Sequence, residues 1–263
     1  MILAIDVGNT NITIGCIDGD EILNVYRMSS DISKTEYEYA VGIKDILAFH
    51  NLQHNDISGS VISCVVPPLT DVIKRAVNQL AGIDAITVGA GIKTGINILI
   101  DDPGQLGSDM VATAVGALKI KKPPLIIADM GTATKMTVID KTGSFIGGAI
   151  LPGITLSMNA LAAGTSQLPR VPIEAPAKCI SANTVDCMKS GAVFGAAAMI
   201  DGMAERFENE LGQPALIIAT GGLAGAVYRF CKREIIHDPH LIMRGLTVIY
   251  EKNCQKPASK HSK

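Results

Sequence analysis

The sequence predicts an α/β fold built from two similar halves, and two observations support this prediction. Apolar runs rich in β-branched residues alternate along the chain with stretches that suit helices, which is the pattern of an α/β protein. One strand–turn–strand unit also occurs twice, with Asp6 ending the apolar run of the first copy and Asp129 ending that of the second. We therefore expect a duplicated domain.

The first copy of the unit contains the turn Asp6-Val7-Gly8-Asn9-Thr10-Asn11 between predicted strands at 2–5 and 12–17. Gly8 lets the backbone approach a ligand closely, and the three residues after it offer hydrogen-bond donors. A carboxylate beside a donor-rich turn suits a polyphosphate bound with magnesium. An ordinary tight hairpin with a capped Asp remains the alternative interpretation.

The second copy contains Asp129-Met130-Gly131-Thr132-Ala133-Thr134-Lys135, which follows a predicted strand at 125–128 and precedes one at 136–140. Each copy then runs into a second turn that carries an Asp, at Asp18 and at Asp140. Two phosphate-type turns in similar halves predict a nucleotide held between those halves, since domain interfaces are common ligand sites.

The other elements follow from apolar runs and from turn residues at their ends. Further strands are predicted at 21–28, 60–66, 85–88 and 215–219. Helices are predicted at 35–50, 69–80, 110–120, 154–163, 185–211 and 241–250. We place the two halves at 1–118 and 119–253 and expect the polar tail 254–263 to be disordered.

Composition excludes several function classes. A net charge of −2 argues against a nucleic-acid-binding surface, and the apolar stretch near 192–199 is too short to span a bilayer. The first strand begins at Ile2 and leaves no basic leader, so we expect a cytoplasmic protein. Six cysteines without a C-x-x-C pair predict reduced and mostly buried thiols.

Gly107-Ser108-Asp109 opens the helix predicted at 110–120. Asp is common at a helix N-cap or in the first turn, so Asp109 has an ordinary structural interpretation. A helix N-terminus would also stabilise an ionised carboxylate and attract an anionic substrate. Both interpretations stay open on the residues alone.

Taken together, these motifs resemble the type III pantothenate kinases, a family of the actin-like ATPase and sugar kinase superfamily, over residues 1 to 253. Besides the two Asp turns and Gly107-Ser108-Asp109, the matching stretches are Val65-Val66-Pro67-Pro68, Gly147-Gly148-Ala149-Ile150-Leu151-Pro152-Gly153, Asn183-Thr184, Ser190-Gly191, Thr220-Gly221-Gly222 and Gly245-Leu246. The resemblance implies two ribonuclease H-like domains, a duplicated actin-like ATPase fold with a nucleotide cleft between them.

The resemblance also implies an activity, the ATP-dependent phosphorylation of pantothenate to 4'-phosphopantothenate, which is the first step of coenzyme A biosynthesis. It assigns ATP to the turn from Asp6 to Asn11, to Thr132 and to Gly221-Gly222. It places Mg²⁺ at Asp6 and a monovalent cation, K⁺ or NH₄⁺, at Asp129. Asp109 would be the general base.

The acceptor site implied by the resemblance lies at the interface of a homodimer. Its residues in this chain would be Ile100, Gly107, Ser108, Asp109, Met110 and Thr184, the last reaching in from the partner chain. Three positions differ from the family pattern, which has Tyr at Ile100, Arg at Met110 and Thr at Lys135. Since an Arg is not replaced conservatively by Met, we expect weak or undetectable turnover of pantothenate.

These differences keep three hypotheses open. The chain could be a pantothenate kinase in which a group such as Lys135 supplies charge, a paralogue with a different small hydroxyl acceptor, or a nucleotide-binding protein with little or no turnover. No Walker A sequence or H-R-D motif is present, which disfavours other nucleotide-binding folds.

Overall fold

The computed structural model describes residues 1–254 and contains two mixed five-stranded sheets. The strands of the first sheet are β1 (Ile2–Val7), β2 (Asn11–Asp18), β3 (Glu21–Ser29), β4 (Gly59–Cys64) and β5 (Ile86–Thr87). Those of the second are β6 (Leu125–Met130), β7 (Ala133–Ile139), β8 (Phe145–Pro152), β9 (Leu216–Thr220) and β10 (Ile235–His237). The helices are α1 (Glu36–Phe49), α2 (Pro67–Ala81), α3 (Ser108–Ile120), α4 (Ile154–Ala163), α5 (Thr184–Leu211), α6 (Ala224–Val227) and α7 (Leu241–Cys254).

The two sheets have the same topology, which confirms the predicted duplication and the α/β fold class. The order is β3-β2-β1-β4-β5 in the first sheet and β8-β7-β6-β9-β10 in the second. In each sheet the first three strands of the chain segment form an antiparallel meander. The remaining two strands, β4 and β5 or β9 and β10, run parallel to the central strand, β1 or β6. Asp6 and Asp129 therefore occupy the same place, near the end of the central strand of their sheets.

Local sequence sets the helix ends. Thr35 and Glu38 form a capping box at the start of α1, and Pro67 and Pro68 fill the first two positions of α2. The Asn183 side chain caps α5 by accepting from the backbone of Asp186. Gly82 and Gly212 end α2 and α5 in the left-handed conformation that glycine adopts without a steric cost.

The chain divides into two compact units that are not contiguous halves. The first contains Met1–Ile96, Gly104–Lys119 and the described residues from Ile242 onward, and the second contains Asn97–Pro103 and Ile120–Leu241. Helix α7 belongs to the first unit because it packs there: a Cβ atom on Gly245 would overlap the carbonyl oxygen of Ala112 in α3. The predicted halves, 1–118 and 119–253, place this helix in the second half instead.

Each unit has its own aliphatic core. In the first unit, side chains such as Leu3, Ile14 and Ile62 are fully buried between the sheet and helices α1 and α2. In the second, Ile126, Val193 and Ile217 belong to the corresponding cluster. A fully buried Leu or Ile contributes about 1.5–3 kcal/mol, so the absence of Trp from the sequence does not prevent a stable core.

Two sequence expectations need correction. Cys254, expected in the tail, is the last residue of α7, while the rest of that tail, 255–263, lies outside the described residues. The thiols are not mostly buried, because Cys179, Cys187 and Cys254 are exposed, although all six cysteines are free as expected. Among residues 1–254, helices that combine enough length and apolar character to cross a membrane are absent.

Candidate active site

The carboxylate of Asp6 is held by the neighbouring parallel strand. Asp6 lies opposite Ser63 in the register of β1 and β4. The Ser63 hydroxyl, which is fully buried, donates a hydrogen bond of 3.0 Å to Oδ1 of Asp6. A charged acceptor at the end of a buried strand is thus fixed in orientation by a hydroxyl that has no exposure to solvent.

The turn after Asp6 is a tight hairpin turn, as expected from its glycine and asparagines. The Gly8 N–H donates to the carbonyl of Asn11 at 3.0 Å, and the end of β3 braces the turn from outside. The Ser30 hydroxyl donates to the Gly8 carbonyl at 2.5 Å, and the Ser30 N–H donates to the Thr10 carbonyl at 3.1 Å. Asn9, Thr10 and Asn11 are exposed, so the turn presents its polar residues at the surface of the chain.

A second hydrogen-bonded step connects Asp6 to the helix that carries Asp109. The Ser108 hydroxyl lies 3.1 Å from the Ser63 hydroxyl and accepts from the Cys64 N–H at 3.0 Å. Ser108 is the first residue of α3 and Asp109 the second. Asp6, Ser63, Ser108 and Asp109 therefore form one connected group within the first unit.

The position of Asp109 shows that it is a first-turn residue of α3 and not its N-cap. As the second residue of α3 it lies in the first turn, and the cap position before the helix belongs to Gly107. Its Oδ1 accepts from the Met110 N–H at 2.7 Å, and a Cβ atom on Gly107 would come within 2.5 Å of the same oxygen. The Asp109 carboxylate therefore lies at the N-terminal end of α3.

In the second unit the carboxylate of Asp129 forms an ion pair with Lys135. The two residues face each other in the antiparallel register of β6 and β7, and Nζ of Lys135 lies 2.9 Å from Oδ2 of Asp129. The turn between the strands contains Thr132. Gly153 packs closely on that turn: its N–H donates to the Thr132 carbonyl at 3.1 Å, and a Cβ atom there would overlap the carbonyl oxygens of the turn.

The Gly221-Gly222 turn lies directly against the Asp129 turn. Gly221 has a φ of +92°, and a Cβ atom on it would come within 2.7 Å of Oδ1 of Asp129 and of the Met130 backbone. The Leu223 N–H also donates to the Met130 carbonyl at 3.2 Å. Only glycine combines this backbone conformation with this close contact. The structure therefore brings together the two glycine-bearing turns of the second half to which the family resemblance assigns ATP.

The residues of the expected acceptor site lie on three elements. Ile100 belongs to the segment Asn97–Pro103 of the second unit, and Met110 lies in the first turn of α3 in the first unit. Thr184 is the exposed first residue of α5 and lines a cavity of about 560 Å³ in the second unit, together with apolar side chains such as Met188 and Met199.

Sequence reasoning missed Ser30 and Ser63, which hold the site together, and it quoted Gly153 within a matching stretch without giving it a role at the site. Ser63 could have been found, because a buried strand that ends in Ser-Cys next to Val65-Val66-Pro67-Pro68 places a hydroxyl beside the end of the first strand. Ser30 and Gly153 act through contacts with the backbone of segments distant in sequence, and local sequence does not specify such contacts.

The residues around the two carboxylates differ in how they suit a cation. Asp6 has the Ser63 hydroxyl beside it, and carboxylate oxygens are ligands that suit Mg²⁺. Clusters of three or more His, Cys, Asp or Glu are absent among residues 1–254. At Asp129, in contrast, the Lys135 ammonium already lies against one oxygen.

Comparison with known proteins gives consistent matches along the chain. The sequence profile of the type III pantothenate kinase family matches residues 2–206. A type III pantothenate kinase of Geobacillus sp. strain WCH70 is 41% identical over 97% of this chain and 99% of its own length. That of Moorella thermoacetica is 37% identical over 96% of this chain and 100% of its own.

Solved structures show the same fold at much lower sequence identity. A candidate 2-dehydro-3-deoxygalactonokinase from Sinorhizobium meliloti superimposes with a TM-score of 0.57 over 100% of both chains, at 11% identity. At this identity the likeness concerns the fold alone.

Proposed function

The chain belongs to the type III pantothenate kinase family, and from this premise we propose that it transfers the γ-phosphate of ATP to the hydroxyl of pantothenate. The product would be 4'-phosphopantothenate, the first intermediate on the route to coenzyme A. The observation that carries the proposal is the hydrogen-bonded group Asp6–Ser63–Ser108, which ends at the helix turn bearing Asp109.

The turn from Asp6 to Asn11 is proposed to receive the phosphates. Because position 8 is a glycine, no side chain would separate the phosphates from the backbone there. Two hydrogen bonds from Ser30 stabilise the conformation of the turn. Thr132 and Gly221-Gly222 are proposed as the nucleotide contacts of the second unit. Positioning of the phosphates and stabilisation of their charge account for most of the rate acceleration in this class of reaction.

Mg²⁺ is proposed to bind at Asp6, where it would neutralise charge on the phosphate oxygens when present. Ser63 fixes the orientation of the Asp6 carboxylate, so that the carboxylate needs no reorientation when the substrate arrives. Asp109 is proposed to accept the proton of the attacking hydroxyl. Asp109 lies in the first turn of α3, next to Ser108.

We also propose a homodimer in which Thr184 contributes to the acceptor site of the partner. Large apolar side chains of the second unit are exposed in the single chain: Ile150 is 71% exposed, Leu156 51% and Ile180 92%. Exposed apolar side chains of this size are common at subunit interfaces. Equilibrium sedimentation would test the proposal, and a monomer at assay concentration would contradict it.

A cytoplasmic location belongs to the same proposal. All six cysteines are free, which suits a reducing compartment. Localisation of a tagged chain in fractionated cells would test it.

The direct test of function is phosphoryl transfer from radiolabelled ATP to a panel of small alcohols that includes pantothenate. Product formation with pantothenate, dependent on Asp109, supports the proposal. Preference for another alcohol would mean that the protein is a kinase with an acceptor other than pantothenate. The apolar residues Ile100 and Met110 are the reason for including other alcohols in the panel. ATP binding without turnover of any alcohol would overturn the assignment as a kinase.

A further inference from the structure

The pair Asp129–Lys135 is mostly withdrawn from solvent. The Lys135 side chain is 17% exposed and the Asp129 side chain 21% exposed, and their charged atoms are 2.9 Å apart. Both side chains project from the same face of adjacent strands, because the two residues are register partners in the β6–β7 hairpin. Screening by water is weak at such a site, so the ammonium strongly opposes a second cation at the same oxygen.

The other oxygen of Asp129 lies close to the glycine-bearing turns. An added Cβ atom on Gly221 would lie 2.7 Å from Oδ1, and one on Gly131 would lie 3.9 Å from it. One carboxylate oxygen thus faces the Lys135 ammonium and the other faces a glycine turn. These surroundings do not fit the additional K⁺ or NH₄⁺ that the family resemblance implies at this residue.

The Lys135 head group is itself an ammonium ion carried on a flexible stem. We propose that Lys135 is a positioning residue that supplies the monovalent cation of Asp129 from within the chain, so that nucleotide binding and turnover need no added K⁺ or NH₄⁺. The inference rests on the proposed function, since it concerns the same nucleotide site. It also gives Lys135 a role at Asp129. Lys135 then does not supply the charge of the Arg that the family pattern has at position 110.

The test compares the parent protein with Lys135→Thr and with Lys122→Thr, a matched control at an exposed lysine. ATP affinity by calorimetry and Tm by differential scanning are measured with Mg²⁺ in choline, potassium and ammonium chloride at constant ionic strength. We expect the parent and the control to be the same in all three salts. Lys135→Thr should bind ATP about tenfold more weakly in choline and recover in K⁺ or NH₄⁺, with a Tm that rises in the same salts.

Two results would overturn the proposal. The first is a parent protein whose ATP affinity and Tm depend on K⁺, a measurement that needs no variant and holds even if Lys135→Thr fails to fold. The second is a Lys135→Thr variant that binds ATP normally and does not respond to K⁺, which would make the pair an ordinary ion pair. Neither measurement contains pantothenate, so a wrong acceptor assignment would leave both results unchanged.

Discussion

The buried hydroxyl of Ser63 donates a 3.0 Å hydrogen bond to Oδ1 of Asp6. It also lies 3.1 Å from the hydroxyl of Ser108, the residue before Asp109. One side chain therefore connects the carboxylate proposed for Mg²⁺ with the helix that carries the proposed base. The parallel register of β1 and β4 produces this arrangement, since it sets Ser63 directly opposite Asp6.

Ser63→Ala is expected to weaken catalysis without unfolding the protein. A hydrogen bond to a charged group contributes about 1.5–3 kcal/mol, so kcat/KM for ATP should fall by roughly 10- to 150-fold. The loss should be largest at low Mg²⁺, because Asp6 would no longer be held in orientation. Steady-state kinetics over a range of Mg²⁺ concentrations measures it.

Ser60→Ala provides the matched control on the same strand. The Ser60 hydroxyl is equally buried but has no hydrogen-bond partner among the described residues. Its removal should leave the kinetics unchanged. Equal effects of the two substitutions would mean that Ser63 acts through packing of β4 and not through Asp6.

Asp109→Asn removes the proposed base and keeps its shape. Loss of a general base lowers phosphoryl transfer by about 10²-fold or more, while ATP affinity should stay near that of the parent. Single-turnover rates and calorimetry measure the two quantities separately. Asp71→Asn, at an exposed position of α2, is the control, and normal turnover in Asp109→Asn would remove this residue from the mechanism.

Gly8→Val tests the phosphate turn. A Cβ atom on Gly8 would already lie 3.2 Å from the Asn11 carbonyl oxygen, and a branched side chain also blocks the approach of phosphate. We expect ATP affinity to fall at least tenfold, with far-UV circular dichroism unchanged. Gly89→Val is the control, since a Cβ atom there meets no atom within 4 Å. Unaltered ATP affinity in Gly8→Val would move the phosphates away from this turn.

Thiol reactivity should separate buried from exposed cysteines. Burial raises the pKa of Cys16 to about 11, and burial followed by the negative charge of Asp201 raises the pKa of Cys231 to about 12. Because only the thiolate reacts, these two should resist iodoacetamide at pH 8, while the exposed Cys179 and Cys187 react readily. Peptide mass spectrometry with and without urea measures the contrast, and fast labelling of folded Cys16 would contradict it.

The same pKa shifts set the direction of the pH dependence of stability. A thiol whose pKa is raised by folding stabilises the native state fully below its unfolded pKa of about 8.5. This contribution is lost as the pH rises toward 11 and 12, the values for Cys16 and Cys231. We expect the free energy of unfolding to fall over that interval, and to fall less in Cys16→Ala than in the parent relative to their values at pH 8.

Much of the fold could be predicted because the duplication repeats one strong pattern. The strands on either side of Asp6 and Asp129 are apolar and β-branched, and their turns are marked by glycine, so both hairpins were predicted correctly. Strand β8 was missed because Gly147 and Gly148 weaken the strand signal, yet Gly148 is needed where its Cα approaches the Met136 carbonyl. Strand β10 has only three residues, too few for a periodic pattern.

The candidate site likewise contains residues that the sequence could predict and residues that it could not. Asp6 and Gly8 stand in a local motif that selects them by residue type and spacing, whereas Asp109 was selected only through the family resemblance. Ser63 depends on strand register, and the pairing of Lys135 with Asp129 depends on a hairpin geometry that brings two opposite charges face to face. Such relationships arise from tertiary structure, and a single sequence does not specify them before the register is known.

The last prediction concerns the acceptor. Ile100 and Met110 are apolar where the family pattern has Tyr and Arg, and Lys135, a possible source of compensating charge, pairs with Asp129. Each missing hydrogen bond to a charged group weakens binding by roughly 10- to 150-fold, so KM for pantothenate should be high in the parent. Ile100→Tyr with Met110→Arg should raise kcat/KM for pantothenate at least tenfold and leave ATP affinity unchanged. Ile32→Tyr with Lys122→Arg, at two exposed positions, is the control. Efficient turnover by the parent would show that the two positions are dispensable, and an unresponsive double variant would indicate an acceptor other than pantothenate.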